Sequence, residues 1–339
     1  MSSIKELKKQ GVKFNLKENN LILESVPCDF CDKFEIPDEV TIVGDKSFSN
    51  CNKIKSIKIP NSVTSIGNGA FSYCDEIKEI LIPSSVKSLG KDTFYNCLKL
   101  QKVEIHDGLK NIDSYAFHNC SSLTQLNLPN SVESIGMMAF CGCKKLKEIK
   151  IPSNVVAIGK GCFAECENLE KIEVDEDNLV YDSRKKCNAI IETQENVLMA
   201  GCKSTRIPFN VTAIEGYAFY GCKKLEKINI PNNVKSLGYA SFYNCSQLKE
   251  VTLPEKVNKI APHSFSMCFA LKNIFTANKN FKEDLGQFKD EFWFNFLTFK
   301  DDEKVYIPKI TKIGEEKNKI KMEEIEKRIK QFSMERDGR

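Results

Sequence analysis

The stretch SVTSIGNGAFSYC, residues 62–74, indicates the fold because close copies of it recur along the chain. A near-copy, SVKSLGKDTFYNC, occupies residues 85–97, and SVESIGMMAFCGC occupies residues 131–143. Each copy places a Phe three residues before a closing Cys. A phrase that returns in this way indicates a protein built from stacked structural repeats.

The repeat has a period of 23 residues within each of two runs. Most units also carry a Pro at a fixed place, which His106 fills in one unit. Because a coil of this length cannot bury its apolar face alone, we expect the units to stack into a solenoid with one continuous core. The Phe and Cys pairs are Phe48 and Cys51, Phe71 and Cys74, Phe94 and Cys97, Phe117 and Cys120, Phe140 and Cys143, Phe163 and Cys166, Phe219 and Cys222, Phe242 and Cys245, and Phe265 and Cys268.

One unit reads as a strand, a second extended piece and a turn. LKEIKI (146–151) alternates apolar and polar residues as a half-buried strand does, and a Pro ends it. VESIG (132–136) is the second extended piece, and a short turn of helix is predicted around MMAFCGC (137–143). The expected fold is an α/β repeat solenoid: a right-handed superhelix with one parallel strand per 23-residue coil, short helical turns on the other side and capped ends.

NSVTSIGNGAFSYCDEIKEILIP (61–83) closely resembles the leucine-rich repeat of the BspA-like family, whose units read IPxSVTSIGxxAFxxCxxLxxIxIP. The resemblance extends over residues 34–278. It implies a leucine-rich-repeat solenoid used for binding proteins or surfaces, without enzymatic activity. It names no partner.

The repeat is interrupted between Phe163 and Phe219, which are separated by one period plus 33 residues. NAIIET (188–193) and NVLMAG (196–201) flank Gln194-Glu195 and predict a β-hairpin, either projecting from the solenoid or inserted as an enlarged coil. We favour a structural spacer over a protrusion that contacts a partner. Cys187 and Cys202 flank the hairpin, and a disulfide between them is left open.

An open solenoid needs polar ends. VKFNLKENNLILES (12–25) predicts a hairpin around Lys17–Asn20, DEFWFNFLTF (290–299) is expected to seal the last coil, and residues 312–339 to form a charged helix. The predicted division is an N-terminal β-hairpin cap at 1–33, a solenoid of nine units at 34–278 with a hairpin insertion at about 175–207, and a C-terminal cap and charged helix at 279–339.

The cysteines suggest a metal or thiol site, but their pattern argues against one. Cys28 and Cys31 have the spacing of a zinc or redox pair, yet the sequence holds no second C-x2-C or H-x3–5-H pair for zinc. The repeated Cys is interpreted as a small apolar side chain that fills space at the turn. Side chains that point in the same direction from successive coils do not have the geometry that a disulfide needs. We expect no catalytic residue, metal or cofactor. A thiol- or zinc-dependent enzyme is the least favoured hypothesis.

Charge and hydropathy give no sign of nucleic acid or membrane. The 50 basic and 46 acidic side chains are mixed along the chain, giving a net charge of +4. MSSIKELKKQGVKF (1–14) lacks the apolar segment of a secretory signal, and no run of 18 apolar residues occurs. We expect a cytoplasmic monomer that binds an unknown protein partner. We expect it neither to bind nucleic acid nor to insert into a membrane. The alternative is a cell-surface or secreted adhesin whose signal peptide has been removed.

The candidate binding site is the outward face of the predicted strands. The neighbouring outward positions are mostly Lys, Glu, Gln and Ser. The apolar residues of this face are Leu81 and, at its C-terminal end, Phe275 with Trp293. The leading hypothesis is a non-enzymatic protein-interaction module. The ladder is its possible protein-binding face, and the alternative, that the ladder holds a charged partner weakly or binds nothing, is left open. The ladder consists of Lys58, Leu81, Glu104, Asn127, Lys150, Glu173, Asn229, Thr252 and Phe275.

Overall fold

The computed structural model describes residues 3–30, 32–276, 297–301 and 304–305. The chain winds into coils with three sides: two are parallel β-ladders and the third is a series of turns. Residues 23 positions apart lie side by side, as Ser65 and Ser88 do in one ladder and Leu81 and Glu104 in the other.

The long-strand side carries β3 (Lys33–Glu35), β5 (Ser56–Lys58), β7 (Glu79–Ile82), β9 (Lys102–Ile105), β11 (Gln125–Leu126), β13 (Glu148–Ile151), β15 (Lys171–Val174), β20 (Lys227–Asn229), β22 (Glu250–Leu253), β24 (Asn273–Thr276) and β25 (Leu297–Asp301). The short-strand side carries β4 (Ile42–Val43), β6 (Ser65–Ile66), β8 (Ser88–Leu89), β10 (Asn111–Ile112), β12 (Ser134–Ile135), β14 (Ala157–Ile158), β19 (Ala213–Ile214), β21 (Ser236–Leu237) and β23 (Lys259–Ile260).

The prediction of one strand per coil is therefore wrong, since the second extended piece forms a ladder of its own. Helical turns are also missing from the turn side: among the described residues, helix is confined to α1 (Ile4–Lys9) and a 3-10 turn at Arg184–Lys186. Two residues per turn adopt left-handed φ angles, such as Gly69 at 59° and Tyr73 at 60°. This alternation directs backbone groups to the next coil, where the Phe71 N–H donates to the Thr93 carbonyl at 2.8 Å.

The core is an apolar column along the stack. The repeated Phe rings are buried, and from Phe48 to Phe163 neighbouring centroids lie 5.1–5.6 Å apart. The second run stacks in the same way, with Phe242 lying 4.9 Å from Phe219 and 5.4 Å from Phe265. Burial of a large ring in every coil, together with the Ile, Leu and Val side chains around it, stabilises the stack by about 25 cal/mol per Å² of apolar surface.

The insertion lies inside the stack. It contains β16 (Tyr181–Asp182), β17 (Ala189–Glu192) and β18 (Val197–Gly201), and β18 pairs with β19. Ile190 packs in the apolar cluster of the earlier coils, whereas Ile191 packs in that of the later coils. A Cβ on Gly201 would lie 2.2 Å from Cε1 of Phe219, so that ring contacts the hairpin backbone directly. The hairpin is thus a partition between two cores.

Additional elements lie at the two ends. At the N-terminus, α1 precedes the antiparallel pair β1 (Lys13–Lys17) and β2 (Asn20–Ser25), and β2 pairs with β4. At the other end β25 pairs with β24, and β26 (Lys304–Val305) pairs with β25. The rest of the predicted C-terminal cap, with Trp293, and the predicted charged helix lie outside the described residues, as does Cys31.

Candidate binding surface

The nine residues of the predicted ladder all lie on the long-strand side. They are aligned by the sheet register, in which Leu81 pairs with Glu104, Lys150 with Glu173, and Thr252 with Phe275. Their side chains are exposed except those of Glu173 and Phe275, which are partly buried. Asn127 directly follows β11.

Three charged residues of this ladder, Glu104, Lys150 and Glu173, are paired with neighbours. Glu104 accepts from both His106 and Lys102 at 3.2 Å, and these contacts lower the pKa of Glu104. Lys150 lies 2.7 Å from Asp175, whose hydrogen bond raises the pKa of the lysine. Exposed pairs of this kind contribute little free energy. The ladder is therefore a polar, solvated sheet surface with few of the apolar anchors that dominate protein interfaces.

The turn side has a different composition. Aromatic and Met side chains gather there, and Tyr239 and Met137 are 45% and 40% exposed. Tyr, Trp, Phe and Met are enriched at protein interfaces. We name this set the aromatic strip: Tyr73, Tyr95, Tyr115, Met137, Met138, His118, Tyr217, Tyr220, Tyr239, Tyr243, His263 and Met267.

The rings of the strip form two clusters of similar construction. The first contains the parallel pair Tyr95 and His118, with centroids 4.9 Å apart and planes inclined by 6°. The second contains Tyr220 and Tyr243, 4.8 Å apart and inclined by 7°. Both pairs occupy the position after the repeated Phe, so the coil stacking itself brings their rings face to face.

The strip continues across the insertion. On the turn side the Glu165 N–H donates to the Tyr220 carbonyl at 2.7 Å, which joins the coils on either side of the insertion directly. Lys223 and Glu167 form an ion pair across the same junction at 3.0 Å. The inserted strands therefore separate the coils on the short-strand side, while the turn side stays closed and its surface unbroken.

Burial favours the neutral forms of His118, Tyr220 and Tyr243 in the strip. Burial lowers the pKa of His118 to about 4, so its imidazole is neutral at pH 7. Burial raises the pKa of Glu165, and it raises the pKa of Tyr220 and Tyr243, with Glu165 adding to both. His118, Tyr220 and Tyr243 therefore present a neutral imidazole and neutral phenol groups.

A shallow groove of about 790 Å³ crosses the short-strand side. Ser88, Asn111, Ser134 and Ala157 lie along it, and Tyr181 closes one end. Its depth follows from the small side chains of successive strands.

The cysteines do not converge on a reactive centre in the described part of the chain. Cys187 and Cys202, like the other described cysteines, are free thiols, and they pack in different apolar clusters. No group of three or more His, Cys, Asp or Glu side chains among these residues is placed to hold a metal ion. The described helices also lack the length and hydropathy needed to span a bilayer.

Comparison with known protein families identifies the family that shares this architecture. A model of the BspA type leucine rich repeat region matches six copies, over residues 27–121, 110–184 and 196–316. The chain belongs to the BspA-type leucine-rich repeat family. The resemblance expected from the repeated phrase is thereby confirmed. No curated protein matches this BspA-type chain.

Solved structures share the fold. A leucine-rich repeat protein from Eubacterium ventriosum is 24% identical, with a TM-score of 0.59 over 79% of this BspA-type chain and 70% of its own. The pneumococcal vaccine antigen PcpA is 17% identical, with a TM-score of 0.54 over 79% and 82%. A leucine rich cell surface protein from Faecalibacterium prausnitzii is 24% identical, with a TM-score of 0.50 over 80% and 95%.

Sequence reasoning missed the aromatic strip of this BspA-type protein. A signal was present, since Tyr95, His118, Tyr220 and Tyr243 all follow the repeated Phe, where Ser49 and Ser72 stand in the first two units. The predicted helical turn hid it, because a helix would place neighbouring residues on different faces. The left-handed turns instead leave the residue after the Phe partly exposed, so that Tyr95 and His118 of successive coils stack on each other.

Proposed function

We propose that this protein is a non-enzymatic interaction module whose protein partner docks on the aromatic strip. The observation that carries the proposal is the concentration of tyrosine, histidine and methionine on one uninterrupted side of the solenoid. Rings with few rotatable bonds contribute large contact areas at low entropic cost, which is why Tyr is common among interface hot spots. Family membership supports a binding role, since repeat solenoids bind through extended surfaces.

The test compares two surface variants. Tyr115→Ser with Tyr239→Ser alters the strip, and Lys58→Glu, Lys150→Glu and Glu173→Lys reverses charges on the long-strand ladder. Wild type and both variants, each checked for folding by circular dichroism, are used to capture proteins from a lysate of the source cells. We expect a protein held by wild type and the ladder variant to be depleted at least tenfold with the strip variant.

Undiminished capture by the strip variant would reject the aromatic strip as the binding surface. Loss restricted to the ladder variant would assign binding to the ladder formed by Lys58, Leu81, Glu104 and their equivalents.

The second candidate is an exported adhesin that binds a host or matrix protein. It is favoured by similarity to a Faecalibacterium protein described as a cell surface protein and to the pneumococcal antigen, both similar in fold. The adhesin and the cytoplasmic module differ in location. Brief protease treatment of intact source cells should leave the protein uncut if it is cytoplasmic, whereas cleavage without lysis would support the adhesin.

A further inference from the structure

We propose that Cys28 and Cys51 are a redox-active thiol pair, which small disulfides such as glutathione disulfide convert into a reversible intramolecular disulfide. Cys28 lies in residues 26–30, which follow β2 and which we name the cap segment. Cys51 is the first of the repeated cysteines. The pair is neither a catalytic nor a metal centre, since its thiols react with each other, and the inference does not depend on the proposed binding function.

The two side chains reach toward each other's part of the chain, unlike the later cysteines of the stack. In seven later coils the thiol reaches back to a Phe carbonyl oxygen of the preceding coil, at 3.0–3.4 Å. Cys51 also reaches back, to the carbonyl oxygens of Val26 at 3.7 Å and Pro27 at 3.9 Å. Cys28 instead reaches forward, to the Ser49 carbonyl oxygen at 3.7 Å. The two thiols therefore approach each other and share a hydrogen bond, which is the convergence that a disulfide requires.

The pair combines an accessible thiol with a protected one. Among the described cysteines, Cys28 alone is exposed, so a dissolved disulfide reaches it first. The pKa of Cys51 is raised to about 12, by burial first and then by the neighbouring Cys28 thiol, so Cys51 is a poor first nucleophile. Cys245 and Cys268 also share a hydrogen bond, but both are buried and a dissolved disulfide does not reach them. Cys28 is therefore the attacking thiol and Cys51 the resolving thiol.

The oxidation consists of two thiol–disulfide exchanges. The Cys28 thiolate attacks one sulfur of glutathione disulfide, which forms a mixed disulfide and releases one glutathione thiolate. The Cys51 sulfur then loses its proton and attacks the Cys28 Sγ, and the second glutathione thiolate leaves. The two cysteines lose two electrons and two protons in total. Glutathione disulfide takes up both, and is reduced to two glutathione thiols.

The disulfide would hold the cap segment against the first coil. Phe30 of this segment packs edge-on against Phe34, with ring centroids 5.0 Å apart, and Phe34 packs in the same way against Phe48 at 5.1 Å. The cap segment thus covers the end of the column of Phe rings. A covalent link at Cys28 restricts opening of this segment, whereas in a reducing compartment the thiols persist and the segment opens more readily.

The experiment treats the full chain with glutathione disulfide and locates disulfides by mass spectrometry after alkylation and tryptic cleavage. Trypsin places Cys28 in peptide 18–33 and Cys51 in peptide 47–53. We expect these peptides to be cross-linked in wild type and separated again by dithiothreitol. Cys28→Ser should abolish the link. Because peptide 18–33 also contains Cys31, Cys31→Ser is the matched control and should keep the link at wild-type yield.

Two further measurements test the order of attack and the effect on the cap segment. Cys51→Ser should retain glutathione on Cys28 as a mixed disulfide, whereas Cys28→Ser should leave Cys51 unmodified. Amide exchange in the cap segment should slow at least fivefold when wild type is oxidised and stay unchanged in Cys28→Ser. Since Cys28 is exposed, this variant tests the inference even if Cys51→Ser fails to fold.

A mixed disulfide on wild-type Cys28 that never proceeds to the cross-linked peptide would overturn the inference. A disulfide between Cys28 and Cys31, or a link to Cys51 that survives Cys28→Ser, would do so as well. Equal oxidation of Cys245 and Cys268 in the folded chain would also contradict it, because the exposure of Cys28 would then make no difference.

Discussion

At the scale of single residues, the repeated cysteine is a hydrogen-bond donor as well as a small apolar side chain. The Cys74 Sγ lies 3.0 Å from the Phe48 carbonyl of the preceding coil, and the Cys97 Sγ lies 3.1 Å from that of Phe71. Both side chains are fully buried. The thiol thus links two coils and satisfies a carbonyl that would otherwise have fewer partners in the core.

Alkaline pH should destabilise the protein through these thiols. Burial raises the pKa of Cys97 to about 12, and that of Cys51 to about 12. Above pH 9 the unfolded state releases these protons while the folded state retains them, so the free energy of unfolding falls as pH rises. Each such thiol contributes about 1.4 kcal/mol per pH unit in this window. Urea unfolding in reductant at pH 8 and pH 10 measures the effect.

Cys97→Ser is the matched control. It should be less stable than wild type at pH 8 but lose less stability between pH 8 and pH 10, since one titrating thiol is gone. A free energy of unfolding that stays level up to pH 10 in wild type would contradict the assignment.

Sequence patterns identified the core residues better than the surface ones. The burial of Phe71 and Cys74 follows from their period alone, because only buried positions repeat so strictly. The thiol bond and the aromatic strip do not follow from it. Both depend on the direction in which the turn presents its side chains, and the left-handed φ at Tyr73, a non-glycine residue, has no reliable sequence signal.

At the scale of elements, the end of β14 shows how the insertion is accommodated. β14 pairs with β12 but with no later strand among the described residues. The Ile158 N–H donates instead to the hydroxyl oxygen of Tyr181, at 3.0 Å. A side chain from the insertion thus provides the hydrogen-bond partner that a following coil provides elsewhere in the ladder.

Tyr181→Phe should remove that partner while leaving the ring in place. A buried N–H without an acceptor costs about 1–3 kcal/mol, so the free energy of unfolding should fall by that amount. Amide exchange at Ile158 should accelerate. Tyr115→Phe, a partly buried tyrosine on the turn side, is the control and should change neither quantity. Equal behaviour of the two variants would contradict the role assigned to Tyr181.

The short strands were the elements hardest to predict. VESIG has the composition of an extended segment, but only Ser134 and Ile135 form β12. A two-residue strand is stable only because the same residues repeat above and below it, and a single unit carries no sign of that stacking. NAIIET was easier, because Ala189, Ile190 and Ile191 are apolar without alternation, as in a strand buried on both faces.

At the scale of the whole molecule, the solenoid holds two apolar cores divided by the inserted hairpin. Ile190 and Ile191 are adjacent and fully buried, yet they belong to different cores. Each coil depends on its neighbours for stability. We therefore expect the coils on the two sides of the hairpin to unfold as separable units.

Ile190→Ala and Ile191→Ala test this division. Each should lower stability by about 2–5 kcal/mol, the usual cost of truncating a buried isoleucine. Hydrogen exchange read by mass spectrometry should accelerate mainly before the hairpin for Ile190→Ala and mainly after it for Ile191→Ala. The same exchange pattern in both variants would indicate one cooperative unit.

The coil-to-coil bonds also constrain how such a protein changes in evolution. Ser65 pairs with Ser88 in one ladder, Phe48 bonds to Ala70 on the turn side, and the Cys74 thiol reaches back to Phe48. A single-residue insertion or deletion within a coil would shift the register of all three kinds of bond at once. We therefore expect homologous chains to gain or lose whole coils, and to tolerate other changes in length only where a hairpin absorbs the extra residues.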